Sequence, residues 1–157
     1  MFVRATKNFG MVTLVSAMLI VLSYALLRRS HLYGPGVFSM TVLPLVAARL
    51  SGLGVRDMVP DLVFGGVDTG LLTVGAVIGA SNFGIIGALV GAAVADAITD
   101  GLAGFAEGGV AEWLRGKGFK ESRTAMGSAC GKMAGCLAGS GVMLSLMQVL
   151  HVGVVQP

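Results

Sequence analysis

A long apolar stretch with embedded acidic residues occupies positions 59–113 and reads VPDLVFGGVDTGLLTVGAVIGASNFGIIGALVGAAVADAITDGLAGFAEGGVAEW. A bilayer-spanning helix needs about 20 predominantly apolar residues, so this stretch is long enough for two of them. The pair Ser81-Asn82 is a short polar interruption between the two apolar runs. We therefore predict two spans, over residues 59–80 and 82–113, that form an antiparallel hairpin.

The rest of the chain is similarly apolar. Of its 157 residues, 55% are hydrophobic and only 12% are charged, and the mean hydropathy is +0.86. These values predict an all-α integral membrane protein with about five spans rather than a soluble domain. Residues 8–27 and 124–152 are predicted as the first and fifth spans. Residues 37–48 contain Pro44, which interrupts a helix, so they form either a kinked second span or an interfacial helix.

These segments predict two parts of the chain and one orientation. Residues 1–58 hold the N-terminal membrane segments, and residues 59–152 form a three-helix core that carries the acidic residues. If all five segments cross, eight Lys and Arg residues lie on one side of the membrane and Arg28 and Arg29 on the other. Because basic residues collect on the cytoplasmic side, we expect the N-terminus inside. The net charge is +3, but the basic residues form no patch with interleaved aromatic residues, so no nucleic acid is expected as a partner.

Acidic residues inside the predicted spans are the strongest functional signal. At about 100° per residue, Asp100 lies about 40° and Glu107 about 20° from Asp96 around the helix axis. Asp68 and Asp96 each lie 14 residues from Asn82, and therefore at matching depth in the hairpin. A carboxylate in hydrocarbon costs at least about 2.5 kcal/mol unless it faces a partner, water or a cation. We interpret Asp68, Asp96, Asp100 and Glu107 as ligands of a cation.

Neutral oxygen atoms and one lysine accompany these acids. Hard cations such as calcium and sodium prefer oxygen ligands, and accessory hydroxyls are available at Thr69, Thr73 and Thr99. Lys132, in the fifth span, either neutralises a carboxylate when no cation is bound or extends toward the basic loop near Arg123. The structural alternative for the acids is a set of protonated or hydrogen-bonded carboxyl groups that hold helices together.

Glycine is abundant, with 25 residues, and it recurs at four-residue spacing within the predicted spans. In the fifth span the series is Gly127, Gly131, Gly135 and Gly139. Such stripes of small residues allow close helix packing in lipid, either within one chain or along the seam of a homodimer. We expect glycine-rich close packing and a dimeric assembly.

Motifs for catalysis are not found in the sequence. There is no phosphate-binding loop, no serine nucleophile elbow and no pair of histidines on one helix face. Cys130 and Cys136 are about 240° apart around a helix, so they cannot share a metal on one face. We expect no enzymatic activity and no cofactor other than a bound or transported cation.

Three segments resemble the transmembrane protein 65 family, a group of mitochondrial inner-membrane proteins with bacterial relatives. Residues 96–107, DAITDGLAGFAE, resemble without a gap its Ser-Asp and Gly-Leu-Ala-Gly-Tyr-x-Glu segment. Residues 64–68, FGGVD, resemble its Phe-Gly-Phe-Leu-Asp, and Gly131-Lys132 with Gly135 and Cys136 is similar to its Gly-Lys and Gly-Cys helix. The resemblance covers residues 59–146.

The resemblance implies sodium-dependent calcium export, with ion-binding roles for Asp68, Asp96 and Glu107. It also implies a location in a bacterial inner membrane, or in the mitochondrial inner membrane of a eukaryote. Asp100 is a carboxylate where the family has an apolar residue. The expected function is therefore a membrane cation transporter or exchanger, sodium- or proton-coupled, for calcium or another divalent cation.

Two alternative functions stay open at this point. The third segment also resembles the Phe-Gly-x-x-Asp-Gly opening of vacuolar iron transporters, which would imply transport of iron or manganese. The other alternative is a non-transporting membrane scaffold or regulatory subunit, in which the acids and Lys132 specify helix pairing.

Overall fold

The computed structural model of the chain describes residues 2–29, 32–116 and 124–150, with side-chain exposure for residues 6–28, 32–105 and 124–150. All regular structure in these ranges is helical, and no strand occurs in them. The helices are α1 (Phe2–Arg29), α2 (Tyr33–Ser39), α3 (Val42–Leu50), a 3₁₀ turn (Val55–Met58), α4 (Val59–Gly116) and α5 (Ala125–Val149).

Three of these helices are long and apolar enough to cross a membrane. The stretches that meet this condition are Thr6–Arg28 in α1, Val55–Phe105 across the 3₁₀ turn and α4, and Ala125–Val149 in α5. The prediction of an all-helical fold is confirmed for the described residues, and the three candidate spans are compatible with a membrane protein.

Helix α4 reverses direction at Gly84. This residue has φ 63° and ψ −147°, a conformation open to glycine because it has no Cβ. The Thr99 hydroxyl donates a hydrogen bond to Oδ1 of Asp68, although 31 residues separate the two. A straight helix would place them about 46 Å apart. Helix α4 is therefore a hairpin, with arm A at residues 59–83 and arm B at residues 85–116.

The reversal lies two residues beyond the predicted Ser81-Asn82 turn. Ser81 Oγ and Asn82 Nδ2 each donate to the carbonyl of Ile78, at 2.8 Å in both cases. These bonds keep both polar residues on the last turn of arm A. The chain instead changes direction at Gly84.

Glycines bring the two arms into backbone contact. A Cβ placed on Gly79 would meet the carbonyl of Gly87, and one on Gly75 would meet the carbonyl of Gly91. Residue numbers rise along one arm as they fall along the other, so the arms are antiparallel. Near the reversal, the arms are so close that no Cβ fits at these glycines.

Helix α5 packs in parallel along arm A. A Cβ on Gly135 would meet the carbonyl of Leu62, and one on Gly139 would meet the carbonyl of Gly66. Gly70 also lies against the Gly139 carbonyl, 3.8 Å from a Cβ at that position. The stripe of small residues in α5 is therefore occupied within the chain by arm A.

Helices α2 and α3 form one kinked segment that runs antiparallel to α5. At one end the Gly34 N–H donates to Oε1 of Gln148, at 3.2 Å. At the kink the Leu43 N–H donates to the Met40 carbonyl, at 3.1 Å, a three-residue step that replaces the bond Pro44 cannot donate. The predicted kinked helix at 37–48 thus extends over residues 33–50.

The other end of this kinked segment lies in the largest apolar cluster of the described residues. Helix α1 contacts the bundle there through one face and is otherwise mostly exposed. The buried members are Val15, Ala47, Ala48, Met58, Met126 and Cys130. Since Met126 and Cys130 lie near the start of α5, the kinked segment accompanies α5 over most of its length.

Candidate functional site

A carboxylate and a hydroxyl meet between the two arms of the hairpin. Asp68 is half-buried on arm A, and Thr99 on arm B is only 5% exposed. The Thr99 hydroxyl donates to Oδ1 of Asp68 and also lies 3.1 Å from the Ala95 carbonyl and 3.0 Å from the Asp96 carbonyl. One hydroxyl proton is thus shared among three acceptor oxygens.

This contact lies near mid-depth in the bundle. Gly66 and Gly70, on either side of Asp68 in arm A, both lie against Gly139. Gly139 is close to the middle of α5 (Ala125–Val149). The contact between Asp68 and Thr99 is consequently level with the middle of α5.

Asp96 and Asp100 flank Thr99 on arm B but do not share its direction. Asp96 lies about 60° and Asp100 about 100° from Thr99 around the axis of arm B. Asp96 is half-buried and Asp100 is exposed. The face of arm B directed at arm A is therefore that of Thr99, whereas the predicted acidic stripe lies to one side of it. The side chain of Glu107 is outside the described set.

The structure separates the predicted ligands instead of gathering all of them. Within residues whose side chains are described, no three Asp, Glu, His or Cys residues form a group that could hold a metal ion. Asp68 and Thr99 are brought together across the hairpin, and Asp96 joins this contact through its main-chain carbonyl. Asp100 points away from this cluster.

Thr73 was predicted as an accessory ligand of the cation, but its hydroxyl takes part in a different contact. Its hydroxyl donates to the Thr69 carbonyl, at 2.7 Å, and lies 3.1 Å from Ser140 Oγ of α5. Thr73 is about 140° from Asp68 around arm A. The Thr73 hydroxyl therefore links arm A to α5 through Ser140, and it does not face the Asp68 carboxylate.

Lys132 forms no ion pair with a carboxylate among the described residues, and the basic loop near Arg123, its other predicted neighbour, lies outside them. Its side chain is exposed, not buried in the span, and Nζ lies 5.0 Å from the centroid of the Phe64 ring. This is a cation–π distance. Phe64 precedes Asp68 by one turn of arm A, or about 6 Å along the axis. The lysine charge therefore lies one turn from the level of Asp68 without an ion pair to it.

Asp61 is a functional candidate that sequence reasoning did not select. It is 2% exposed, and Ser128 Oγ of α5 donates to its Oδ1 at 2.9 Å. It lies seven residues before Asp68, and so about 20° from it around arm A. This seven-residue spacing from Asp68 was the available signal in the sequence.

An apolar groove follows the outside of the hairpin near its tip. Its volume is about 560 Å³, and only glycine and apolar residues of both arms line it, among them Ile78, Phe83, Ile86, Val90 and Ile98. The groove offers no side-chain ligand for a cation. Its lining suits an acyl chain or another helix.

Comparisons of the chain with models of known protein families, with curated proteins and with solved structures yield no match. The resemblance to the transmembrane protein 65 family is therefore carried by the short motifs at 64–68, 96–107 and 131–136.

Proposed function

We propose that the protein is a membrane cation transporter or exchanger whose ion binds between the arms of the hairpin. The ligands are the Asp68 carboxylate and the Thr99 hydroxyl, with the Asp96 carboxylate beside them. The observation that carries the proposal is the buried contact of Asp68 with Thr99, level with the middle of α5. An acid at this depth is costly in lipid and is characteristic of ion pathways.

The chemistry of these groups favours a hard cation. All the polar atoms at the contact are oxygens, which calcium, sodium and magnesium prefer. The Thr99 hydroxyl can turn its proton to a helix carbonyl and offer a lone pair to an ion, since both acceptors are within 3.1 Å. A proton on Asp68 would take the place of the ion. Sodium- or proton-coupled calcium transport is thus our preferred activity, in agreement with the family resemblance.

Five membrane crossings fit this activity. They would be α1, the kinked segment at 33–50, arm A, arm B and α5. The contacts of the kinked segment along most of α5 support its crossing. With the N-terminus inside, the hairpin tip lies outside, in a bacterial inner membrane or its mitochondrial counterpart.

The hairpin offers one route to the site. Between Thr99 and the tip the arms are closed by the glycine contacts at Gly75–Gly91 and Gly79–Gly87. We propose that the site opens in the other direction, toward residues 59–64 of arm A and 101–105 of arm B, which is the inner side in the expected orientation. Lys132 and Phe64 lie on this route, one turn from Asp68.

Ion flux into liposomes tests the proposal. Wild-type protein should carry calcium when a sodium or proton gradient drives the exchange. Asp68→Asn should abolish this flux because it removes the negative charge of the ligand. Thr73→Val is a matched control, since it removes a buried hydroxyl from another face of arm A, and it should keep transport. If the wild-type protein carries none of calcium, sodium, manganese and ferrous ion, the result would favour the alternative of a non-transporting membrane scaffold. Flux of ferrous ion or manganese alone would favour the iron-transporter alternative.

A further inference from the structure

The Lys132 side chain reaches from α5 around the surface of arm A. The Lys132 carbonyl lies 2.7 Å from a Cβ position on Gly65, and Nζ of the same residue lies 5.0 Å from the centroid of the Phe64 ring. Around the axis of arm A, Gly65 is about 60° from Asp68 on one side, and Phe64 is about 40° from it on the other. The shorter path from Gly65 to Phe64 therefore passes through the direction of Asp68.

The lysine charge is also close to Asp68 along the axis of arm A. Phe64 precedes Asp68 by one turn, about 6 Å. A lysine side chain has a long flexible stem, and rotation between its staggered conformations moves the ammonium group without any change in the backbone. The ammonium group of Lys132 can therefore approach either the Phe64 ring or the Asp68 carboxylate.

Both charges need a partner in the membrane-spanning arrangement proposed above. Lys132 is exposed, and its contact with the Phe64 ring is a cation–π contact, not an ion pair. Charged side chains at this depth are costly in lipid, and they pair with one another where the structure allows it. A carboxylate attracts an ammonium group more strongly than an aromatic ring does, because it carries a full negative charge. An ionised Asp68 without a bound cation is thus the stronger partner for Lys132.

We propose that Lys132 is a gate that competes with the transported cation for Asp68, and that the Phe64 ring holds the lysine when the cation is bound. This inference rests on the proposed function of the Asp68 site. While Asp68 holds a cation, the ammonium group lies over the Phe64 ring, the position seen in the structure. When the cation leaves, the ammonium group moves to the Asp68 carboxylate and neutralises it. A cation that enters must then displace the lysine.

Asp68 is a better partner for the lysine than Asp61, the other acid of arm A near Phe64. Asp61 is only 2% exposed, and its Oδ1 accepts a hydrogen bond from Ser128 of α5. An ammonium group could reach it only by disturbing this buried contact. Asp68 is half-buried, and it lies at the inner end of the route on which Lys132 and Phe64 are placed. The gate therefore acts on the acid that we propose as the ion ligand.

Calorimetric titration of the purified protein with calcium tests the gate. Lys132→Met removes the charge and should raise calcium affinity about tenfold, as expected if the lysine occupies Asp68 for about nine-tenths of the time in the ion-free protein. Lys132→Gln is a second uncharged variant with the same expected gain, and Lys132→Arg keeps the charge and should not show it. Arg56→Gln removes an exposed positive charge from the 3₁₀ turn before arm A and should leave the affinity unchanged. Unchanged or lower affinity in the uncharged Lys132 variants overturns the competition.

A double-mutant cycle with Phe64 separates a lysine that moves from a fixed positive charge. Phe64→Leu removes the ring, so the lysine should occupy Asp68 more often and calcium affinity should fall about threefold or more. The same substitution in the Lys132→Met chain should have no effect, because no ammonium group is left to move. Equal effects of Phe64→Leu in the two chains overturn the role of the ring.

The same titrations distinguish failure of the gate from failure of the proposed function. Every variant must first show the wild-type helix content and thermal transition, so that a change in affinity reports on the site. If the wild type binds no calcium, the proposed site and the gate both fail. If the wild type binds calcium through Asp68 and the uncharged Lys132 variants bind it equally well, only the gate fails.

Discussion

The Thr99 side chain links the two arms of the hairpin at one atom. Its hydroxyl carries one proton but is within hydrogen-bonding distance of the Asp68 carboxylate and of two main-chain carbonyls. When Asp68 is ionised, the proton has its best acceptor there, since bonds to a charged oxygen are the stronger ones. When a cation or a proton neutralises Asp68, the hydroxyl can turn to a carbonyl of its own helix.

Substitution of Thr99 should separate its role as a ligand from its role in packing. Thr99→Val keeps the shape of the side chain but removes the oxygen, and we expect cation affinity to fall about tenfold, or about 1.4 kcal/mol, because the ion loses a ligand oxygen. Thr99→Ser keeps the oxygen and should retain most of the affinity. Calcium-induced shifts of the thermal transition in detergent measure both.

Thr73→Val is the matched comparison, because Thr73 is 8% exposed and its hydroxyl faces α5 instead. If Thr99→Val and Thr73→Val lowered the calcium-induced shift equally, Thr99 would have no specific role in binding.

The sequence was sufficient to select Asp68 and Thr99, but not to give the direction of each acid. Periodicity fixes the angles between Asp96, Thr99 and Asp100 on one helix. It does not give the direction of the neighbouring helix, which here is set by the glycines at 87 and 91. Asp100 therefore turned outward although it lies on the same stripe as Asp96. Asp61 was missed because its burial depends on α5, which lies far away in sequence.

At the scale of elements, the glycine hairpin is the feature that creates the site. The predicted antiparallel pairing of the two spans agrees with the structure, because two apolar runs joined by a few residues have little other choice. The position of the turn was wrong by two residues. Ser81 and Asn82 are common turn residues, but both can also bond back to a helix carbonyl, and a φ of 63° is available to the glycine that follows.

A single added methyl group should disturb the hairpin. At Gly79 the Cβ of alanine would collide with the Gly87 backbone, so Gly79→Ala should separate the arms and lower both thermal stability and transport. Overpacking of this kind typically costs about 1–3 kcal/mol. Thermal denaturation followed by circular dichroism and the liposome flux assay measure the two effects.

Gly10→Ala provides the control for this substitution. A Cβ on Gly10 would meet nothing within 4 Å, and alanine is the better helix former, so stability should be unchanged or slightly higher. Equal behaviour of the Gly10 and Gly79 variants would mean that the arms do not need close contact.

For the whole molecule, the number of crossings decides on which sides the chain ends lie. In the proposed arrangement, helix α1, the two arms and α5 would account for four crossings, and the kinked segment at 33–50 would add a fifth. Five crossings put the two termini on opposite sides of the membrane, whereas four would put them on the same side. The hydropathy of the sequence did not decide whether the segment at 33–50 crosses the membrane. In the structure this segment consists of two helices of seven and nine residues, each too short to cross alone.

Tags at the two ends distinguish these arrangements. We expect an N-terminal tag to be protected inside intact cells and a C-terminal tag to be accessible from outside. Protection of both tags would place the kinked segment along the membrane surface. Exposure of the N-terminal tag alone would reverse the expected orientation.

Equilibrium binding of calcium to the purified protein, with sodium as competitor, tests most directly whether the acid in the hairpin exists to hold an ion. Wild type should bind calcium saturably, sodium should displace it, and Asp68→Asn should lose at least about tenfold in affinity, as expected when a charged ligand becomes neutral. The Asp68→Asn protein must first show the wild-type helix content. Equal calcium binding by wild type and a folded Asp68→Asn protein would contradict the account.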